Sequence, residues 1–121
     1  MKDFDNFFLP ANDLSIGKEF YHDILGLDVK FDFSKQGMMA FKVGQQEPAI
    51  ILKAHPDARP TIWFTVEDVG EEHDRLRARG VKFISEPFRI RTGLAAEFED
   101  PFGNRLGITD YSASPSTRAE R

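Results

Sequence analysis

The chain contains the same pattern twice, and that repeat limits its fold more than any other feature. Gly26-Leu27-Asp28-Val29-Lys30-Phe31 is answered by Gly80-Val81-Lys82-Phe83. Likewise Phe7-Phe8-Leu9-Pro10-Ala11-Asn12-Asp13-Leu14 is answered by Ile62-Trp63-Phe64-Thr65-Val66-Glu67-Asp68-Val69. In both places an apolar stretch runs into short polar or acidic residues, and a helix pattern starts there. Each half, about 50 residues long, reads as one supersecondary unit.

Local signals give both halves the order β-α-β-β-β. In the first, the pattern predicts a strand over 4–11, then a helix capped by Asn12 or Asp13 and running to 25. Ile16, Phe20 and Ile24 recur at every fourth position with Tyr21 and Leu25 beside them, which predicts one core-facing stripe. Gly26 stops that helix. Strands follow over 28–33, 38–43 and 49–54, separated by turns at Lys35-Gln36-Gly37 and Gly44-Gln45-Gln46.

The second half predicts a strand over 61–66 and a helix from Asp68 to 79. Asp68 and Glu71 have capping-box spacing, and Gly80 ends the helix. Strands follow over 81–85, 93–99 and 105–111. Module 1 thus spans about 4–54 and module 2 about 61–111, joined by the proline-stiffened linker 55–60 within a single domain, 1–111. The Ser-, Pro- and charge-rich stretch 112–121 is expected to be a flexible tail.

Composition narrows the function classes. The 121 residues allow one domain with a modest core. The formal net charge of −4, with no clustered Lys/Arg stripe, argues against a nucleic-acid partner. There is no Cys, so disulfides and thiol chemistry are excluded. No apolar run is long enough to span a bilayer, and the acidic start is unlike a signal peptide, so a soluble cytoplasmic protein is expected. Twelve Phe against two Tyr and one Trp predict a core or cavity walled by apolar rings. Phosphate loops, dinucleotide fingerprints and nucleophile elbows are missing from the sequence.

Two strings carry a family resemblance: Phe20-Tyr21-His22-Asp23-Ile24-Leu25-Gly26-Leu27 and Phe98-Glu99-Asp100-Pro101-Phe102-Gly103-Asn104. With the repeat, over about 6–111, they resemble the vicinal oxygen chelate superfamily of glyoxalases, extradiol dioxygenases, and fosfomycin- and bleomycin-resistance proteins. The resemblance implies an α+β fold, two tandem βαβββ modules whose curved sheets surround a cavity with the helices outside. It implies a homodimer as well. Catalytic members carry metal ligands at places that correspond here to Asn6, Ile51, Thr61 and Gly107. None is His, Asp or Glu, so neither a metal nor another cofactor is expected, and no catalytic residue is assigned.

Strand alternation turns Asn6, Phe8, Lys53, Thr61, Trp63, Glu97 and Arg105 toward the cavity, and these are the candidate ligand-binding residues. The opposite face, from Phe7 and Leu9 to Leu106 and Ile108, is almost wholly apolar, as a helix-packed face should be. Trp63 fits either a stacking platform for a flat ligand or plain packing. Lys53, Glu97 and Arg105 fit either ligand anchors or an internal ion-pair network. His22 is expected to face solvent, His55 to open the linker, and His73 to be partly buried and hydrogen-bonded. Arg89 and Arg91 are read as a loop pair, and Met38 and Met39 as core or adaptable lining.

The expected function is metal-free binding of a small molecule, a flat aromatic solute fitting best, in the manner of the antibiotic-resistance members. A glyoxalase-like lyase or isomerase, or a dioxygenase, is the alternative. It would need metal at other ligands, or acid–base chemistry by Glu97 or Glu99.

Overall fold

The structure, a computed structural model, describes residues 1–45 and 48–113. Gln46 of the second expected turn and most of the expected tail, from residue 114, lie outside the described residues. The chain divides into two compact units. The first is Asp5–Ile62; the second starts at Trp63 and includes Met1–Phe4.

In the first unit the strands lie in the order β2 (Asp28–Phe33), β3 (Met38–Lys42), β4 (Ala49–Lys53) and β1 (Asp3–Pro10). β1 and β4 run parallel, with Phe8 opposite Ile51 and Leu9 opposite Leu52; the other pairs are antiparallel. The helix α1 (Leu14–Lys18) starts because Asp13 Oδ1 accepts from the Ser15 and Ile16 N–H groups at 3.0 and 3.2 Å. It then widens into a π-helical stretch, Glu19–Ile24, whose end is marked by the Leu25 N–H bonding back to Phe20 O. Gly26, at φ 79°, reverses the chain.

That helix corrects the stripe expected from periodicity. Ile16, Phe20 and Ile24 are 64%, 48% and 66% exposed, whereas Leu14 and Tyr21 pack on Met39, Phe41 and Leu52. The reason is Gly17. A Cβ there would lie 2.5 Å from Leu52 Cδ1, so the helix docks through the position with no side chain and turns Ile16, Phe20 and Ile24 outward. Tyr21 completes the docked face, its ring stacked on Phe41 at 5.4 Å.

In the second unit β5 (Thr61–Thr65) neighbours β9 (Arg105–Thr109), followed by β8 (Gly93–Glu99) and β6 (Lys82–Phe83). Helix α2 (Val69–Ala78) begins where Asp68 Oδ1 accepts from the Glu71 N–H. Its core is Val66, Val69, Ala96, Phe98 and Ile108. The stretch read as an arginine-bearing loop contains a further strand, β7 (Phe88–Ile90), paired with β8 so that Arg89 faces Leu94. Arg91 and Thr92 are the two-residue turn of that hairpin, a loop length too short to stand out by composition without an Asn-Gly signal.

Asp110 ties this unit together. Its buried carboxylate accepts from the Val69 and Leu94 N–H groups at 2.8 and 2.9 Å and from Ser112 Oγ at 2.7 Å. Gly93 passes so close that a Cβ would lie 2.4 Å from Asp110 Oδ1. Burial opposes the charged form of Asp110. The backbone donors Leu94 and Val69, with Ser112, outweigh that effect and hold its carboxyl below the usual value of 3.8.

Candidate functional site

The open face of the first unit, the one α1 does not cover, is set by a change of register, although Ala40 and Ile51 on it are themselves buried. Val29 pairs with Phe41 and joins the helix-side core, but a β-bulge follows at Lys30. Beyond it Phe31 faces Ala40 and Phe33 faces Met38. One extra residue therefore moves both rings to the face that carries Ala40, Ile51 and Phe8. The two rings stack at 4.6 Å. Simple alternation would have left them beside Val29, so the sequence reading passed over them. Nothing at Lys30, such as a glycine, signals the bulge.

Lys53 stands at the end of this face, opposite Met38, with Nζ 5.9 Å from the centroid of the Phe8 ring. Among the described residues no carboxylate pairs with it. Phe8 and Lys53, two of the expected ligand contacts, are thus brought together. The methionines are sorted: Met39 is core, and Met38 lies on the open face.

Asn6 and Thr61 are held by their own backbone surroundings. Asn6 is 1% exposed; its Oδ1 accepts from the Ala49 N–H at 3.0 Å and its Nδ2 donates to Asp5 at 3.2 Å. Thr61 Oγ1 donates to Arg59 O at 2.9 Å.

In the second unit Glu97 faces Gly107 across β8 and β9, and Glu99 faces Arg105. Trp63, 7% exposed, lies on Gly107; a Cβ there would be 2.4 Å from the indole Cε3. The glycine at the last family ligand place is the seat of the tryptophan. Beside it Arg105 Nη1 is 3.7 Å from Glu97 Oε2, and the buried Arg105 Nε makes no hydrogen bond. Glu97 and Arg105 are therefore brought together, and Trp63 packs beside them on Gly107, which lies on the same strand as Arg105 and faces Glu97.

The four family ligand places do not fit a metal ion. Ile51 and Gly107 have no donor, Asn6 spends its amide oxygen on Ala49, and the Thr61 hydroxyl donates to the backbone. Among the described residues no three His, Asp or Glu side chains gather elsewhere as a metal-holding group. His22 is half-exposed with Nδ1 2.7 Å from Leu27 O; His55 Nδ1 accepts from the Asp57 N–H in the linker. His73 is buried against the Phe83 ring at 4.4 Å, with Nε2 3.5 Å from Glu86. No described helix is long and apolar enough to cross a membrane.

The fold, the repeated module and the turn at 100–104 agree with a family assignment that covers most of the chain. The model of the Glyoxalase/Bleomycin resistance protein/Dioxygenase superfamily matches residues 3–108, and the chain belongs to that superfamily. Among curated proteins it is similar to the uncharacterized protein YraH of Bacillus subtilis (strain 168), 29% identical over 119 residues that cover 83% of this chain and 91% of that one. It is also similar to YurT of the same organism, 34% identical over 56 residues covering 46% of this chain; the match spans only 44% of YurT. Among solved structures it has the fold of methylmalonyl-CoA epimerase from Streptomyces coelicolor, with TM-score 0.71 and 21% identity over 95% of this chain and 99% of that one. The Mycobacterium tuberculosis methylmalonyl-CoA epimerase gives TM-score 0.69 and 20% identity, covering 97% of this chain and 91% of that chain.

Proposed function

We propose that the chain binds a small organic molecule with a flat apolar body and an anionic end, on the open face of its first unit and without a metal ion. One observation carries this reading: Lys53 stands over the Phe8 ring at the end of a face floored by the accessible Phe31, Phe33 and Met38, with Ile51 buried in the sheet. Rings bind flat bodies by dispersion and quadrupole contacts, and the ammonium group selects a negative substituent. A cationic drug of the bleomycin type would meet a like charge at Lys53, so an anionic or neutral aromatic solute is the better fit among resistance-type ligands.

A panel of aromatic carboxylates, screened by thermal shift and isothermal titration, tests the reading. A binder should lose about tenfold in affinity in Lys53→Ala, the size of one charge-assisted contact. Its neutral amide should bind the wild type about as weakly. A panel that never shifts the melting temperature would sink the proposal, as would equal affinity for Lys53→Glu.

The Glu97–Arg105 pair beside Trp63 supports a second reading, metal-independent acid–base catalysis of the lyase or isomerase kind, with Glu97 as the proton acceptor. Turnover abolished by Glu97→Gln and retained in chelator would favour it. The family resemblance also supports a cytoplasmic homodimer. Light scattering at micromolar concentration should give twice the 13.8 kDa chain mass.

A further inference from the structure

The second unit has a hollow of about 680 Å³ on its helix side, away from the open strand face. It exists because α2 ends at Ala78 while β8 continues to Glu99 and β9 begins at Arg105. The last part of the strand pair is left without a helix over it. Val81, Phe98 and Leu106 form an apolar floor continuous with the core, and Pro101 forms one side. The volume falls in the range of about 300–1,000 Å³ found for small-molecule clefts.

The charges around this floor are unequal in availability. Lys82 Nζ lies 3.5 Å from Glu99 Oε1, so those two serve each other. Asp100 is used by its own turn, accepting from the Phe102 and Asn104 N–H groups at 2.8 and 2.9 Å and from Asn104 Nδ2 at 2.8 Å. Two carbonyls at the end of α2 are occupied too: Leu76 O accepts from the Arg79 and Val81 N–H groups, and Arg77 O from that of Gly80. Among the described residues the Arg79 guanidinium has neither an ion-pair nor a hydrogen-bond partner. It is the one lining charge free to meet a ligand.

We propose that this hollow is a second small-molecule site, one that takes a compact apolar monocarboxylate. The apolar body covers Phe98 and Leu106, and the carboxylate pairs with Arg79, whose planar fork matches two carboxylate oxygens. The proposal does not depend on the open-face site of the first unit.

Benzoate and benzamide, equal in shape and different in charge, are the probes, read by amide shifts of the 15N-labelled full chain. Benzoate should move the Gly80, Val81, Lys82 and Gly103 amides on one saturation curve. Benzamide should do so at least about tenfold more weakly, and Arg79→Ala should weaken benzoate by a similar factor. Arg79 is exposed at the helix end, so this variant should fold. Arg79→Lys, which keeps the charge and loses the fork, should fall between. Lys53→Ala should leave these shifts unchanged, which separates this site from the open face. The proposal is overturned if these amides do not move, if benzamide matches benzoate, if Arg79→Ala matches the wild type, or if the shifts vanish in Lys53→Ala.

Discussion

Gly107 and Trp63 form a lock whose two parts lie far apart in sequence. Because the indole occupies the space a side chain would need, Gly107→Ala must push it aside. Overpacking of this kind costs about 1–3 kcal/mol, measurable by urea unfolding. Trp63 is the only Trp, so its emission should shift to the red in the same variant; an unchanged spectrum would refute this seating. Asp110 is the other residue whose role is disproportionate. Its folded pKa is depressed, so its stabilisation is complete above the unfolded value near 3.8 and is lost as pH falls through the folded value. Asp110→Asn should therefore cost about 1–3 kcal/mol at pH 7, where backbone donors lose an acceptor. Below pH 4 the gap to wild type should close. A gap that stays constant from pH 7 to pH 3 would show that the charge plays no part.

Among the elements, the first helix departs furthest from its sequence pattern. Tyr21, stacked on Phe41, is half-buried, and Tyr21→Ala should cost about 3 kcal/mol. Ile16→Ser and Ile24→Ser, on the exposed side, should each stay within about 0.5 kcal/mol by the same denaturation measurement. The periodicity reading puts all three residues on one core-facing stripe and so predicts losses of similar size. The β2 bulge teaches a related lesson. Alternation along 28–33 is regular in sequence, yet pairing with β3 inserts one residue and sends Phe31 and Phe33 to the other face. By contrast the helix starts at Asp13 and Asp68 and the stops near Gly26 and Gly80 were legible, because capping is chemistry between residues a few positions apart. The corner at 100–104 was legible for the same reason: Asp100 accepts from its own turn, and Gly103, at φ 84°, reverses it.

For the molecule as a whole, superfamily membership and metal-dependent chemistry come apart. The fold is that of the family, but its ligand places hold an amide engaged with the backbone, an aliphatic chain, a donating hydroxyl and a glycine covered by indole. Adding Mn, Ni or Zn ions at a hundred micromolar should therefore leave the melting temperature unchanged. A specific site filled a hundredfold above its dissociation constant would raise stability by about 2.7 kcal/mol. A stoichiometric metal in the purified protein would return the reaction to the lyase or dioxygenase class.

The sequence by itself determined the doubled β-α-β-β-β plan, the caps and turns, the apolar helix-side face and the lack of metal donors at the family places. These depend on residue type and short-range spacing. Only the tertiary structure decided which side of the first helix docks, which face Phe31 and Phe33 join, and what lies on Gly107. Each of those outcomes depends on a partner distant in the chain: Leu52 beside Gly17, β3 beside Lys30, Trp63 above Gly107. Side-chain volume at such a meeting point belongs to two segments at once, and a one-dimensional pattern records only one of them.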